Sequence, residues 1–142
     1  MDMLITAEGK IHIIDIGARM GGNMIGPCII PYGTGIDYMA NMIRNAVGDE
    51  IDLTPRQKSA VATRLLAFGN GVVKQLPDFE KLEKEYGVKI YHHLEVGQTV
   101  KEYHTNLDGC GYIVARADNV ETAIKKAKEV WELIGKTIFT LD

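Results

Sequence analysis

The stretch MLITAEGKIHIIDIG, residues 3–17, constrains this chain most: two runs rich in Ile and Leu flank a short AEGK turn. That pattern reads as a β-hairpin, so the chain enters a sheet almost at its first residue. With the turn at Glu8-Gly9, antiparallel pairing sets Ala7 against Lys10, Ile5 against His12, Leu4 against Ile13, and Asp2 against Asp15. Opposed side chains have Cβ atoms about 4.5–5.5 Å apart, and two like charges there repel unless neutralised. A hard divalent cation is a suitable neutraliser, because carboxylate oxygens suit Mg²⁺ or Mn²⁺ and Mg²⁺ is commonly held by one or two carboxylates plus substrate phosphates. The alternative is that both acids are solvated at exposed strand ends. An odd-length loop would move the register by one residue and place them on opposite faces.

After the second strand comes IGARMGGN, where regular structure breaks. Arg19 carries a five-donor fork that matches phosphate or carboxylate, and Gly21 and Gly22 allow close backbone approach with N–H groups turned toward an anion. An arginine in a loop can equally be a solvated side chain. Two acids, an arginine and a glycine turn together favour a metal–phosphate site.

Further along, Met39, Met42, Ile43, Ala46 and Val47 follow helical spacing. Thr34 and Asp37 are read as the capping pair and Gly48 as the stop. AVATRLLAF and GVVKQL read as strands broken by GNG, which is expected to supply positive-φ positions. Residues 77–86 read as a helix with Phe79, Leu82 and Tyr86 inward. VKIYHHLEV and GYIVARA read as strands around a loop at residues 104–111. A last helix opens at Asp118 and closes at Gly135, with Val120, Ala123, Ile124, Ala127, Val130, Trp131 and Ile134 in one stripe, and TIFTL is expected as a final strand. Mixed elements and hairpins define an α+β fold with a largely antiparallel sheet and packed helices. The expected organisation is residues 1–48, a connecting segment at 49–58, and an α+β subdomain over 59–142.

With 142 residues, a net charge of −3 and a pI near 5.8, the chain has the size of one domain and no electrostatic footprint for nucleic acid. Its apolar runs are shorter than the ~20 residues a membrane span needs. Cys28 and Cys110 lie far apart without ligand spacing, and the first residues form no signal peptide, so the expected compartment is the cytoplasm.

The run DIGARMGG, residues 15–22, resembles the signature of the ATP-grasp superfamily, usually Glu-x-Asn-x-Arg followed by small residues. That family carries another acid about twelve or thirteen residues earlier, where Asp2 stands. The resemblance implies that Asp2 and Asp15 bridge the metal and that Arg19, the catalytic residue, faces the transferred phosphate. Gly21, Gly22 and Asn23 would join Arg19 in binding ATP. Gly17 replaces the metal-binding Asn, removing one oxygen ligand, and Asp15 is shorter than the usual Glu. In element order the rest of the chain is similar to the last part of the biotin-carboxylase-like, amino-acid-ligase and carbamoyl-phosphate-synthase-like branches. The resemblance therefore implies the C-terminal portion of an ATP-dependent ligase that activates a small-molecule carboxylate as an acyl phosphate, using ATP and Mg²⁺ or Mn²⁺. An upstream nucleotide-binding portion would be its partner, in the same chain or a separate subunit, and the isolated chain would be inactive. The contrasting reading is a non-catalytic oligomerisation or docking module of the same fold.

Other residues carry less. Adjacent His92 and His93 point to opposite strand faces and do not readily share a metal. Cys28 reads as a packed small side chain. Arg64 could line the site or sit on an edge strand. An open strand edge at residues 3–5 and apolar surface at Met20, Met24 and Ile25 are expected to face solvent and to favour a homodimer.

Overall fold

The computed structural model describes residues 2–17 and 20–139. Strand β1 (Asp2–Ile5) and strand β2 (Ile11–Asp15) form the expected antiparallel hairpin. Its turn is one residue longer than the reading of Glu8-Gly9 as a two-residue turn. The Gly9 amide donates to the Thr6 carbonyl at 3.0 Å, the Thr6 amide donates to the Lys10 carbonyl at 2.9 Å, and Gly9 has a φ of 78°. Three residues therefore close the loop, with the left-handed position on a glycine. The pairing shifts accordingly: Ile5 meets Ile11, Leu4 meets His12 and Met3 meets Ile13, one residue off the expected register.

Residues Ile25–Ile29 wind as one wide π-turn that leads directly into α1 (Ile30–Thr34). The Ile29 amide reaches back five residues to the Met24 carbonyl at 3.0 Å. Pro27 and Pro31 lack the donors a regular helix would use and crowd the preceding carbonyls, which a wider turn relieves. Helix α2 (Tyr38–Val47) is capped by Asp37, whose carboxylate accepts from the Ala40 amide at 2.9 Å, so Thr34 is not its cap. Gly48 closes it with a φ of 81°. Its expected inward stripe points the other way: Met42, Ile43 and Val47 are exposed, and the buried residue is Asn41. The Asn41 amide nitrogen donates to the carbonyls of Asp37 and Asp52, and its oxygen accepts from the Asp52 amide at 2.7 Å. The two bonds to Asp52 tie the helix to the irregular segment after it.

The main sheet is built from β3 (Ala60–Leu65), β5 (Val88–His92) and β7 (Gly111–Ala117), all antiparallel, with β7 in the centre. A separate short pair joins β4 (Gly71–Val72) to β6 (Thr99–Val100). The GNG triplet therefore does not turn one strand onto the next. Neither Gly69 nor Gly71 has a positive φ, and Gly71 is required because a Cβ there would lie 2.6 Å from the Phe139 ring. Helix α3 (Phe79–Tyr86) is capped by Asp78, and helix α4 runs from Val120 to Phe139. The Asn119 side chain, one residue beyond the expected Asp118, accepts from the Thr122 amide at 2.8 Å. Helix α4 continues through Gly135, so the expected strand at TIF is helical. The reason is packing: Ile138 is fully buried and Phe139 meets the Phe68 ring edge-on.

The core lies on one face of the sheet, where Leu66, Ile113 and Ala115 meet Ala127, Val130, Ile134 and Ile138 of α4. Val120 and Ile124, assigned to the same stripe by spacing, remain exposed at the start of that helix. The opposite face receives the π-turn and α1. By contrast, the β1–β2 hairpin is exposed on both faces, Ile5, Ile11, Ile13 and Ile14 included. Among the described residues no helix is long and apolar enough to cross a membrane.

Candidate functional site

Asp2 and Asp15 are cross-strand partners, and a β-bulge brings them together. The register set by the turn would place Ile14 opposite Asp2. One irregularity between Asp2 and Met3 absorbs Ile14 and returns Asp15 to the face of Asp2. Both carboxylates are exposed. Among the described residues no three His, Cys, Asp or Glu side chains gather as a metal cluster, so a cation between these two acids would complete its shell with water or phosphate oxygens.

The loop after β2 leads to the glycines. Ala18 and Arg19 lie outside the described residues, so the position of Arg19 forms no part of the geometry. Gly17, Gly21, Gly22 and Asn23 are exposed. A Cβ on Gly21 would come within 2.8 Å of the Ile25 side chain, whereas one on Gly22 would meet nothing within 4 Å. Gly22 therefore presents open backbone to solvent. Met20 is half-buried rather than exposed, because its side chain covers Gly26, where a Cβ would run into it.

Asn23 and Met24 follow with φ values of 51° and 64°, and the Ile25 amide closes back on the Gly22 carbonyl at 3.1 Å. Two successive left-handed residues make a turn of type I′ hand. Asparagine tolerates that conformation, but methionine adopts it at a cost of roughly 1–2 kcal/mol. The sheet supplies an anchor: the Tyr112 hydroxyl donates to Asn23 Oδ1 at 3.0 Å. A second contact follows one turn later, where the buried Cys28 thiol donates to the Tyr91 hydroxyl at 3.2 Å. The neighbouring acidic thiol of Cys28, with burial, raises the Tyr91 pKa. Tyr91 and Tyr112 are themselves cross-strand partners on β5 and β7. Spacing alone gives both tyrosines as strand residues, and only the docking of the π-turn shows that they hold the glycine loop.

Arg64 does not line this site. It pairs with Ile113, on the α4 face of the sheet, and its guanidinium lies 4.4 Å from the centre of the Trp131 ring. Its Nε is buried without a hydrogen-bond acceptor, and the cation–π contact takes the place of an ion pair. His92 stacks on Phe79 at 3.8 Å, and its Nδ1 accepts from the Leu94 amide.

The α+β arrangement of hairpin, glycine turn and antiparallel sheet with packed helices is that of the C-terminal portion of an ATP-grasp fold, and solved structures share it. Phosphoribosylglycinamide synthetase from Anaerococcus prevotii matches 98% of this chain with a TM-score of 0.68 at 16% identity. L-amino acid ligase from Bacillus licheniformis matches 92% with a TM-score of 0.64 at 20% identity. The chain spans 35% and 33% of those two structures, about a third of their length. Residues 64–137, more than half of the chain, match the sequence family described as L-amino acid ligase C-terminal domain 2, and the chain belongs to that family. A comparison with curated proteins finds no match.

Proposed function

We propose that this chain is the C-terminal part of an ATP-dependent ligase that joins an amino-acid carboxylate to an amine through an acyl phosphate. The observation that carries the reading is the Asp2–Asp15 pair, brought to one face by a bulge at the site where the ATP-grasp signature requires its two acids. In that role Asp2 and Asp15 hold Mg²⁺ or Mn²⁺, whose charge neutralises the transferring phosphate. Gly21, Gly22 and Asn23 offer backbone to the nucleotide phosphates. Arg19 faces the acyl phosphate through its guanidinium, a role that rests on the signature alone. Gly17 offers no side-chain oxygen, so the site holds fewer protein ligands than the usual signature provides.

The protein's part in such chemistry is positioning and charge neutralisation rather than covalent catalysis. Since the chain spans a third of the matched structures, the nucleotide-binding portion belongs to the rest of the fold, in the same polypeptide or in a separate subunit. The exposed apolar hairpin is the surface for that portion. A second copy of this chain is the alternative cover, and sedimentation across a concentration series separates the two. Cys28 and Cys110 form no disulfide, which suits the cytoplasm.

The test is ADP release. The chain assembled with its nucleotide-binding portion should release ADP and phosphate only with Mg²⁺ and an amino acid, and hydroxylamine should trap the activated carboxyl as a hydroxamate. The 142-residue chain by itself should release none. No amino-acid-dependent ADP release and no hydroxamate from the assembly would favour the non-catalytic module instead.

A further inference from the structure

On the sheet face that receives the glycine loop, Leu65 of β3, Tyr112 of β7 and Tyr91 of β5 form one cross-strand row. The row borders a cavity of about 420 Å³, closed further by His92, His93 and Leu107. Gly109 and Gly111 complete the wall: a Cβ on Gly109 would lie 2.6 Å from the Leu65 side chain, which would have to shift, and one on Gly111 would run into the Tyr91 carbonyl. The space is thus bounded by the two tyrosine rings, Leu65 and a backbone that only glycine allows at position 111.

Its position relative to the loop is set by one bond. Tyr112, a wall of the cavity, is the residue whose hydroxyl holds Asn23 in the left-handed turn. Whatever touches the Tyr112 ring therefore acts on the loop that carries Gly21 and Gly22. The lining contains no carboxylate, ammonium or guanidinium. A cavity of this size suits a small ligand, and rings with a few polar tips suit an aliphatic or aromatic group rather than a charged one.

We propose that this cavity receives the uncharged aliphatic or aromatic side chain of an amino-acid substrate, with Tyr112 coupling its occupancy to the glycine loop. The proposal rests on the ligase reading and gives that reading a substrate class.

The test titrates the 142-residue chain with L-phenylalanine, L-leucine, L-glutamate and L-lysine and follows the ring NMR signals of Tyr91, His93 and Tyr112. Phenylalanine and leucine should give saturable shifts and the charged amino acids none. Leu65→Trp, which fills the cavity, should abolish the shifts. Because that change could unfold the sheet, Leu107→Arg provides a second variant at a position 94% exposed, and it should admit glutamate. Saturable shifts absent for phenylalanine and leucine, equal shifts from charged amino acids in the natural chain, or phenylalanine shifts that survive Leu65→Trp while Leu107→Arg admits no glutamate would overturn the proposal. The ligase reading is judged separately, by alanine-dependent ADP release from the assembled enzyme. Alanine's methyl group does not need the cavity, so retained alanine turnover with phenylalanine shifts unchanged in Leu65→Trp sinks the cavity alone.

Discussion

Asp2 and Asp15 face each other across β1 and β2 because a bulge absorbs Ile14. On the proposed reading, two exposed carboxylates in that arrangement would make a weak site for a hard cation. Mn²⁺ added to the chain should broaden the amide NMR signals of Asp2 and Asp15 before those of scattered surface acids such as Glu80 and Glu85, and Asp15→Asn should remove the preference. Broadening spread evenly over all surface carboxylates would contradict the metal assignment.

Helix α4 divides sharply by burial. Ile134 is fully buried against the sheet, and Ile124, ten residues earlier, is 53% exposed. Ile134→Ala should cost about 3 kcal/mol through lost burial and the cavity left behind. Ile124→Ala should stay within roughly 0.5 kcal/mol. Urea unfolding of the two variants measures both, and similar midpoints would show that the core is misplaced.

Gly111 has a φ of 140°, and its missing Cβ makes room for the Tyr91 carbonyl. Gly111→Ala should therefore split β5 from β7 and destabilise the chain by about 3 kcal/mol or more. Gly22→Ala has open space and should leave the melting temperature unchanged. Circular dichroism melts distinguish the two. Loss of fold in both would mean that the glycine loop is structural.

His92 resists protonation in the folded chain because burial and His93 lower its pKa from 6.5. In the unfolded chain it binds a proton more readily, so its contribution to stability is whole above about pH 6.5 and is lost as pH falls toward the lowered folded value. Chemical denaturation between pH 7.5 and pH 5 should show that slope. His92→Phe, which keeps a ring against Phe79, should flatten it. An unchanged slope would assign the effect elsewhere.

Much of this architecture is legible in the residues. The hairpin, α3 within the expected residues 77–86, and β7 over Gly111–Ala117 follow from period and turn chemistry. Errors arose where tertiary contacts decide. The pattern of α2 is amphipathic, yet its buried group is Asn41, because hydrogen bonds to Asp52 hold the helix by its polar side. Gly135 looks like a stop, but Ile138 has a place in the core and the helix continues to reach it. The two acids of the candidate site were legible as a spacing. The bulge that aligns them was not, since it corrects a loop length that only the folded turn sets. Tyr91 and Tyr112 gave no signal beyond strand propensity, because their partners Cys28 and Asn23 lie over sixty residues away in sequence.

The most direct test of the account is kcat for amino-acid-dependent ADP release by the assembled enzyme, compared between the natural chain and Asp15→Asn. Metal stabilisation of the transferring phosphate is worth several kcal/mol, so kcat should fall by about 100-fold or more. The melting temperature should stay unchanged, because the Asp15 carboxylate is exposed. A kcat within about threefold of the natural enzyme, which is less than 1 kcal/mol of barrier, would contradict the assignment of Asp2 and Asp15 as the metal-bearing pair.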